Sequence, residues 1–264
     1  MTRSAGRPPV VLAISGHDPT GGAGVQADIE AIAACGAHCA SLITATTAQN
    51  TVRFAAAFPQ PVSELRRAAR LLLEDTPVDA CKIGLVASPA IARFIGELLD
   101  TLKGVPVVVD PVLRAGTGDA VASPALVRAY RRHLLPRASL VTPNAAECRA
   151  LGDCDDVETA ARRIIGYGAR AVLATGGDEA TPDVCDVLLD ADGHRTEFRS
   201  TRLPHRYHGS GCTLASAIAA RLAAGEVLEA AIGQARDFTR GALERAWSIG
   251  ARQRHPCRRA EPRT

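Results

Sequence analysis

The run His208-Gly209-Ser210-Gly211-Cys212 stands immediately before the amphipathic stretch Thr213 to Leu222, so a glycine-rich turn delivers backbone amides to the start of a helix. That arrangement can hold an anion. Glycines let the main chain approach a phosphate closely, while the unpaired N–H groups and the positive end of the helix dipole offset its charge. Cys212 falls in the first turn, where the same dipole is expected to lower its pKa and make it a thiolate or proton acceptor. The competing reading is a small buried cysteine at a glycine-rich helix start.

A second glycine-rich segment, from Gly16-His17-Asp18-Pro19 through Gly24 to Asp28, follows the first apolar run. The dinucleotide spacing G-x-G-x-x-G cannot be laid onto it, and neither lysine stands in a Walker loop, so any ATP site is built by another route. Asp110-Pro111-Val112 ends a buried strand, the end of an open α/β sheet at which ligands bind. An aspartate there can hold a metal-bound water or a substrate hydroxyl; a polar strand end that merely caps a loop would look the same. Asn144 to Glu147 carries the N-x-x-E spacing of a capping box, in competition with a Mg²⁺-water role for Glu147.

Short β-branched runs alternate with longer stretches of helical period, which predicts parallel strands joined by helical crossovers. Strands are expected at Val10–Ser15, Cys39–Thr44, Ala80–Ile83, Val105–Asp110, Leu140–Thr142 and Ala171–Thr175. Phe54 to Phe58, hemmed by Pro59 and Pro61, reads as part of a flap. Ser88-Pro89 and Ser123-Pro124 are helix starts, with a capping serine before a proline in the first helical position. Val184–Leu189 and Thr196–Phe198 read as an antiparallel hairpin, and the last third reads as two helices, Cys212–Ala223 and Glu226–Trp247.

The 264 residues are 47% hydrophobic and 22% charged with a net charge of +3, which excludes a disordered chain and suits one large domain or two small ones. Only Lys82 and Lys103 are lysines, and nine aromatics without a basic cluster argue against a nucleic-acid stacking platform. The eight cysteines form no C-x-x-C pair and the apolar runs are short, so reduced cytoplasmic thiols, no membrane span and a small-molecule ligand are expected. The expected boundaries are a disordered 1–9, one domain over 10–250, and a basic disordered tail over 251–264.

Taken in order, Ala13 to Asp28, Ala48-Gln49-Asn50-Thr51, Lys82-Ile83-Gly84, Asp110-Pro111-Val112, Thr142-Pro143-Asn144 to Glu147, and His208 to Cys212 resemble the motifs of the hydroxymethylpyrimidine/phosphomethylpyrimidine kinases, within the ribokinase-like superfamily. The resemblance runs from Val10 to about Trp247. It implies a three-layer α/β/α sandwich with a mostly parallel central sheet and a small flap. It also implies phosphoryl transfer from ATP, with Mg²⁺, to a hydroxymethylpyrimidine and then to its monophosphate, in a homodimer or larger homo-oligomer.

By the same resemblance, Gln49, Asp28, Gly16, Leu85 and Val112 are the substrate-pocket residues. Gly209, Ser210 and Gly211 form the anion hole, and Cys212 accepts the hydroxyl proton. Asn144, Thr175 and Gly177 contact nucleotide, and Glu147 and Asp110 serve the metal. The chain departs from its relatives at Thr175 and Gly116, where many carry a basic residue; arginine from elsewhere, or Mg²⁺ alone, must then neutralise the triphosphate. A pyridoxal kinase of the same architecture and a noncatalytic ligand-binding relative are the alternatives that the motifs leave open.

Overall fold

The computed structural model of the chain describes residues 6–113, 122–179 and 181–259. Gly116 lies outside them. Nine strands form one sheet: β1 (Val10–His17), β2 (His38–Gln49), β3 (Phe54–Pro59), β4 (Ala80–Ile83), β5 (Val107–Val109), β6 (Leu140–Val141), β7 (Ala171–Ala174), β8 (Asp183–Asp190) and β9 (Arg195–Thr201). Their order is β3-β2-β1-β4-β5-β6-β7-β8-β9. The six strands from β2 to β7 run parallel, whereas β3 pairs antiparallel with β2, and β8 and β9 close the far edge as a hairpin. The proline-bounded segment is therefore an edge strand of a flap, where a missing N–H costs nothing.

Among the described residues eight α-helices cover the sheet: α1 (Gly24–Ala34), α2 (Val62–Asp75), α3 (Pro89–Leu99), α4 (Pro124–Ala129), α5 (Ala145–Gly152), α6 (Val157–Gly166), α7 (Ser210–Ala223) and α8 (Leu228–Glu244). Alternation along β1 explains the layers. Leu12 and Ile14 point into the core shared with α2 to α6, and Val11 and Ala13 into the core shared with α1, α7 and α8. The inner parallel strands are apolar on both faces because both are covered. Lys82 breaks that rule in β4.

Helix starts follow their local chemistry. Ser88 and Ser123 each accept a backbone amide three residues on, from Ile91 and Leu126, ahead of a first-turn proline. Asn144 and Glu147 form the capping box in full, with Glu147 N–H to Asn144 Oδ1 at 2.9 Å and Asn144 N–H to Glu147 Oε2 at 3.1 Å. By contrast, α7 opens on Gly209 in the left-handed region (φ 80°) with no side-chain cap.

Both expected disordered ends need correction within the described residues. Arg7 grips Asp79 through two hydrogen bonds of 2.7 and 2.9 Å, and Asp79 also takes the Val10 amide, so residues 6–9 are tied to the mouth of β4. Residues 251–259 are ordered too: Arg254 pairs with Tyr207, His255 pairs with Trp247, and Gln253, His255 and Arg258 are buried. Apolar periodicity is missing from this segment because backbone bridges and buried polar side chains hold it. The preceding Gly250 rests against Thr51 at the flap turn.

Candidate functional site

The chain leaves β1 first to one side, for β2 and β3, and later returns to the other, for β4. The carboxyl ends of these strands thus flank the crevice where an open α/β sheet binds ligands. Gly16, Leu85, Asp110 and Asn144 stand at the ends of β1, β4, β5 and β6. The structure brings Gly16 and Leu85 into contact, since a Cβ on Gly16 would lie 2.7 Å from Leu85 Cδ2. Gln49 closes β2, its amide donating to Thr47 Oγ1 at 2.9 Å, and Thr47 in turn donates to the His17 carbonyl at 2.9 Å. The flap is thereby coupled to the exit of β1. Val112 is half-buried just past Asp110, whose carbonyl takes its amide at 2.9 Å.

Across the crevice lies the α7 turn. Thr213 donates both its amide (2.9 Å) and its hydroxyl (2.7 Å) to the Gly209 carbonyl, and among the described residues no acceptor takes the amides of Ser210, Gly211 and Cys212. Gly211 is exposed, and a Cβ there would meet only Asp110 Oδ1, at 3.8 Å. The amide donors and the Asp110 carboxylate therefore face the same space. Gly209, by contrast, has no room for a side chain, because a Cβ there would collide with the Gly22 carbonyl. His208 fixes the other side of the turn: its Nε2 donates to Asp18 Oδ2 at 2.7 Å. Burial opposes ionisation of Asp18, but the hydrogen bonds from His208 and Thr20 prevail and lower its pKa to about 2.

Below the turn sits a sealed ionic cluster. Lys82 Nζ lies 2.8 Å from Asp28 Oδ1 and 3.6 Å from Asp110 Oδ2, and Ser216 Oγ adds a 2.7 Å hydrogen bond to Asp28. Burial disfavours the ammonium, yet Asp28, Cys212 and Asp110 together outweigh it and raise the Lys82 pKa. Asp28 is fully buried, its Oδ1 held by Lys82 and Ser216, so it presents no surface to a ligand, a correction to the expected substrate contact. A second correction concerns Cys212. Burial is the largest influence on the thiol and pushes it up to about 12 against the pull of Lys82, so the resting group is a thiol and the expected thiolate does not form.

Asp110 and Glu147 are both carboxyl groups whose ionisation is disfavoured. Burial raises both pKa values, and the negative charge of Asp110 adds to the rise at Glu147, which reaches about 8 despite the amides of Asn144 and Leu113. Asp110 Oδ2 is buried without a hydrogen-bond partner. Two buried carboxyl groups whose ionisation is disfavoured form a site with unmet demand for positive charge, which fits a divalent cation. Glu147 also fulfils the capping role, so the two readings of that residue are compatible.

The residues expected on the nucleotide side converge as well. Asn144 and Thr175 form a β-bridge, and the Thr175 amide donates to the Pro143 carbonyl at 2.9 Å. The following turn is held by residues with no motif around them. Gly176 N–H donates to Asp186 Oδ1 at 2.9 Å, Arg236 Nε binds Asp186 Oδ2 at 2.7 Å, and Arg202 donates to the carbonyls of Gly176, Gly177 and Thr181. Gly177 itself is exposed. Arg202, Asp186, Arg236, Ser216 and Arg258 are the participants that spacing along the chain did not reveal. A buried aspartate in a hairpin strand was the one available signal.

An open, mostly parallel sheet with helices on both faces, a glycine-rich turn at the N-terminus of α7 and a facing carboxylate pair define a ribokinase-like phosphotransferase. Solved structures agree: a pyridoxal kinase from Staphylococcus aureus superposes with a TM-score of 0.88 at 27% identity, over 98% of this chain and 96% of that one. The phosphomethylpyrimidine kinase of Clostridium difficile 630 gives 0.77 at 30% identity, over 89% and 99%. Among curated proteins, the hydroxymethylpyrimidine/phosphomethylpyrimidine kinase of Streptomyces coelicolor is 37% identical over 92% of this chain and 91% of its own length. The probable thiamine biosynthetic bifunctional enzyme of Oryza sativa is 38% identical over 89% of this chain but only 44% of its own. The phosphomethylpyrimidine kinase family matches residues 18–257, and the chain belongs to that family.

Proposed function

We propose that the chain transfers the terminal phosphoryl group of ATP to the hydroxymethyl group of 4-amino-5-hydroxymethyl-2-methylpyrimidine, and then to the resulting monophosphate. The observation that carries this reading is the open space between the amides of Ser210 to Cys212 and the Asp110 carboxylate, with Gly211 facing Asp110 Oδ1 across it. Phosphoryl transfer depends on positioning and charge neutralisation more than on covalent help. The α7 amides bind the migrating group. Gly16, Leu85 and Val112 wall the heterocycle, and Gln49 hydrogen-bonds it from the flap.

Asp110 and Glu147 would hold Mg²⁺, which neutralises phosphate charge when bound with ATP. Asn144, Thr175 and Gly177 line the nucleotide side. Because Cys212 rests as a thiol and already holds its proton, it orients the hydroxyl, whose own proton passes to an oxygen of the transferred phosphoryl group as the new P–O bond forms and the bond to ADP breaks. The eight cysteines are all free, which supports a reducing, cytoplasmic setting; among the described residues no helix is long and apolar enough to cross a membrane. A homodimer or larger homo-oligomer is the proposed assembly, and sedimentation tests it.

A coupled ADP-release assay over the pyrimidine, its monophosphate and pyridoxal decides the substrate. Turnover of both pyrimidines, weakened in Gln49→Ala, is expected. The close fold match to pyridoxal kinases gives one specific reason to include pyridoxal. Turnover of pyridoxal alone, or binding without ADP release, overturns the proposal.

A further inference from the structure

The C-terminal segment places a cation where a helix ordinarily repels one. Arg258 has a side chain only 1% exposed, and its Nε donates to Thr213 Oγ1 at 2.8 Å, inside the first turn of α7. Its Nη2 donates to the Gly22 carbonyl, and its Nη1 lies 3.1 Å from Glu30 Oε2. Helix N-termini carry partial positive charge and favour anions. A buried guanidinium in that position therefore opposes the helix field, and its one carboxylate partner among the described residues, Glu30, is 55% exposed. The excess positive charge is balanced once an anion occupies the turn.

The hydrogen bonds show how this charge reaches the donors. Arg258 polarises the Thr213 hydroxyl, which donates to the Gly209 carbonyl; that carbonyl shares its peptide unit with the Ser210 N–H. A polarised peptide is a stronger donor. The Gly22 carbonyl, gripped by the same guanidinium, is the surface against which Gly209 abuts in its left-handed conformation. One side chain thus sets both the position of the turn and the strength of its first amide.

We infer that Arg258 is a positioning residue for phosphoryl transfer, fixing and charging the Gly209–Cys212 turn from behind. This rests on the proposed kinase reading, in which that turn binds the migrating phosphoryl group.

The test uses the full chain with Arg258→Ala and Glu30→Gln. Wild-type turnover of the pyrimidine examines the kinase reading by itself. If that reading holds, Arg258→Ala should lower kcat about tenfold, less than the 10²–10³ typical for deleting a direct oxyanion donor. KM for the pyrimidine should stay within about twofold, and millimolar guanidinium should restore part of kcat.

A readout independent of turnover is the rise in melting temperature produced by inorganic sulfate, expected to be about threefold smaller in Arg258→Ala. Should Arg258→Ala fail to fold, Glu30→Gln carries the test. Removing the partial counter-charge should tighten sulfate binding about threefold at low salt. A folded Arg258→Ala with unchanged kcat and sulfate response overturns the inference, as does a Glu30→Gln protein whose sulfate binding is unchanged or weaker.

Discussion

Lys82 and Asp28 form an ion pair of 2.8 Å with both side chains wholly removed from water, joining β4 to α1 across 54 positions of sequence. Breaking such a pair leaves a buried, uncompensated charge and costs about 3–5 kcal/mol, whereas replacing both members by apolar groups costs far less. Asp28→Asn and Lys82→Met should each lower stability by that order. The double variant should recover most of the loss, as read from urea unfolding midpoints. Equal instability of the double and single variants would show that the pair is not coupled.

Glu147 makes stability depend on pH in a defined direction. Its pKa in the fold, about 8, lies above the ordinary glutamate value of 4.5. A carboxyl raised in this way contributes its stability below the unfolded pKa and loses it as pH rises through the folded one. Melting temperature should therefore fall between about pH 5 and 8, and Glu147→Gln should flatten that slope. Mg²⁺ should stabilise the wild type more at pH 9 than at pH 6, because the cation competes with the protons.

The thiol of Cys212 predicts modest dependence on that residue. With a pKa near 12, it should resist iodoacetamide at pH 8 while the more accessible Cys154 reacts, as peptide mass mapping would show. Cys212→Ala should keep measurable turnover, losing about 10²-fold or less, the lower range for general acid–base help. A loss above about 10⁴-fold would reinstate the thiolate.

Two glycines in one turn should behave differently. Gly209 at φ 80° abuts the Gly22 backbone, so Gly209→Ala combines backbone strain of about 1–2 kcal/mol with a clash and should lower both stability and activity. Gly211 has open space, so Gly211→Asp should melt near the wild-type temperature yet lose nearly all turnover, its carboxylate occupying the anion site beside Asp110.

On the proposed nucleotide side, Asp186 orders the Gly176 amide through a carboxylate shared with Arg236. Asp186→Asn and Arg202→Gln should raise KM for ATP with little change in pyrimidine binding. Calorimetry with ADP and with the pyrimidine separates these effects, and equal weakening of both ligands would mean general loosening.

Much of this was legible in the chain. Ser88-Pro89, Ser123-Pro124 and Asn144 to Glu147 carry their signals within four residues, and the buried parallel strands read as apolar runs. The polar couplings were not: Lys82 with Asp28, Asp186 with Gly176, and Arg258 with Gly22 each join positions that no local period relates. The last of these spans 236 positions and sits in an arginine-rich stretch that composition alone assigns to solvent. Cys212 failed for a different reason. Sequence shows the helix start but not the depth of burial, and burial sets the thiol.

The contact between Arg258 and Gly22 also bears on the order of folding. Contacts between distant positions must close the longest loops, and domains rich in them acquire native structure slowly. The central strands can pair and bury their apolar faces while the β1–α1 loop still lacks the guanidinium that restrains it. Hydrogen-exchange labelling during refolding should find the amides of β4 and β5 protected well before those around Gly22 and Thr213. A population that looks folded by its sheet would then still lack a competent phosphate site.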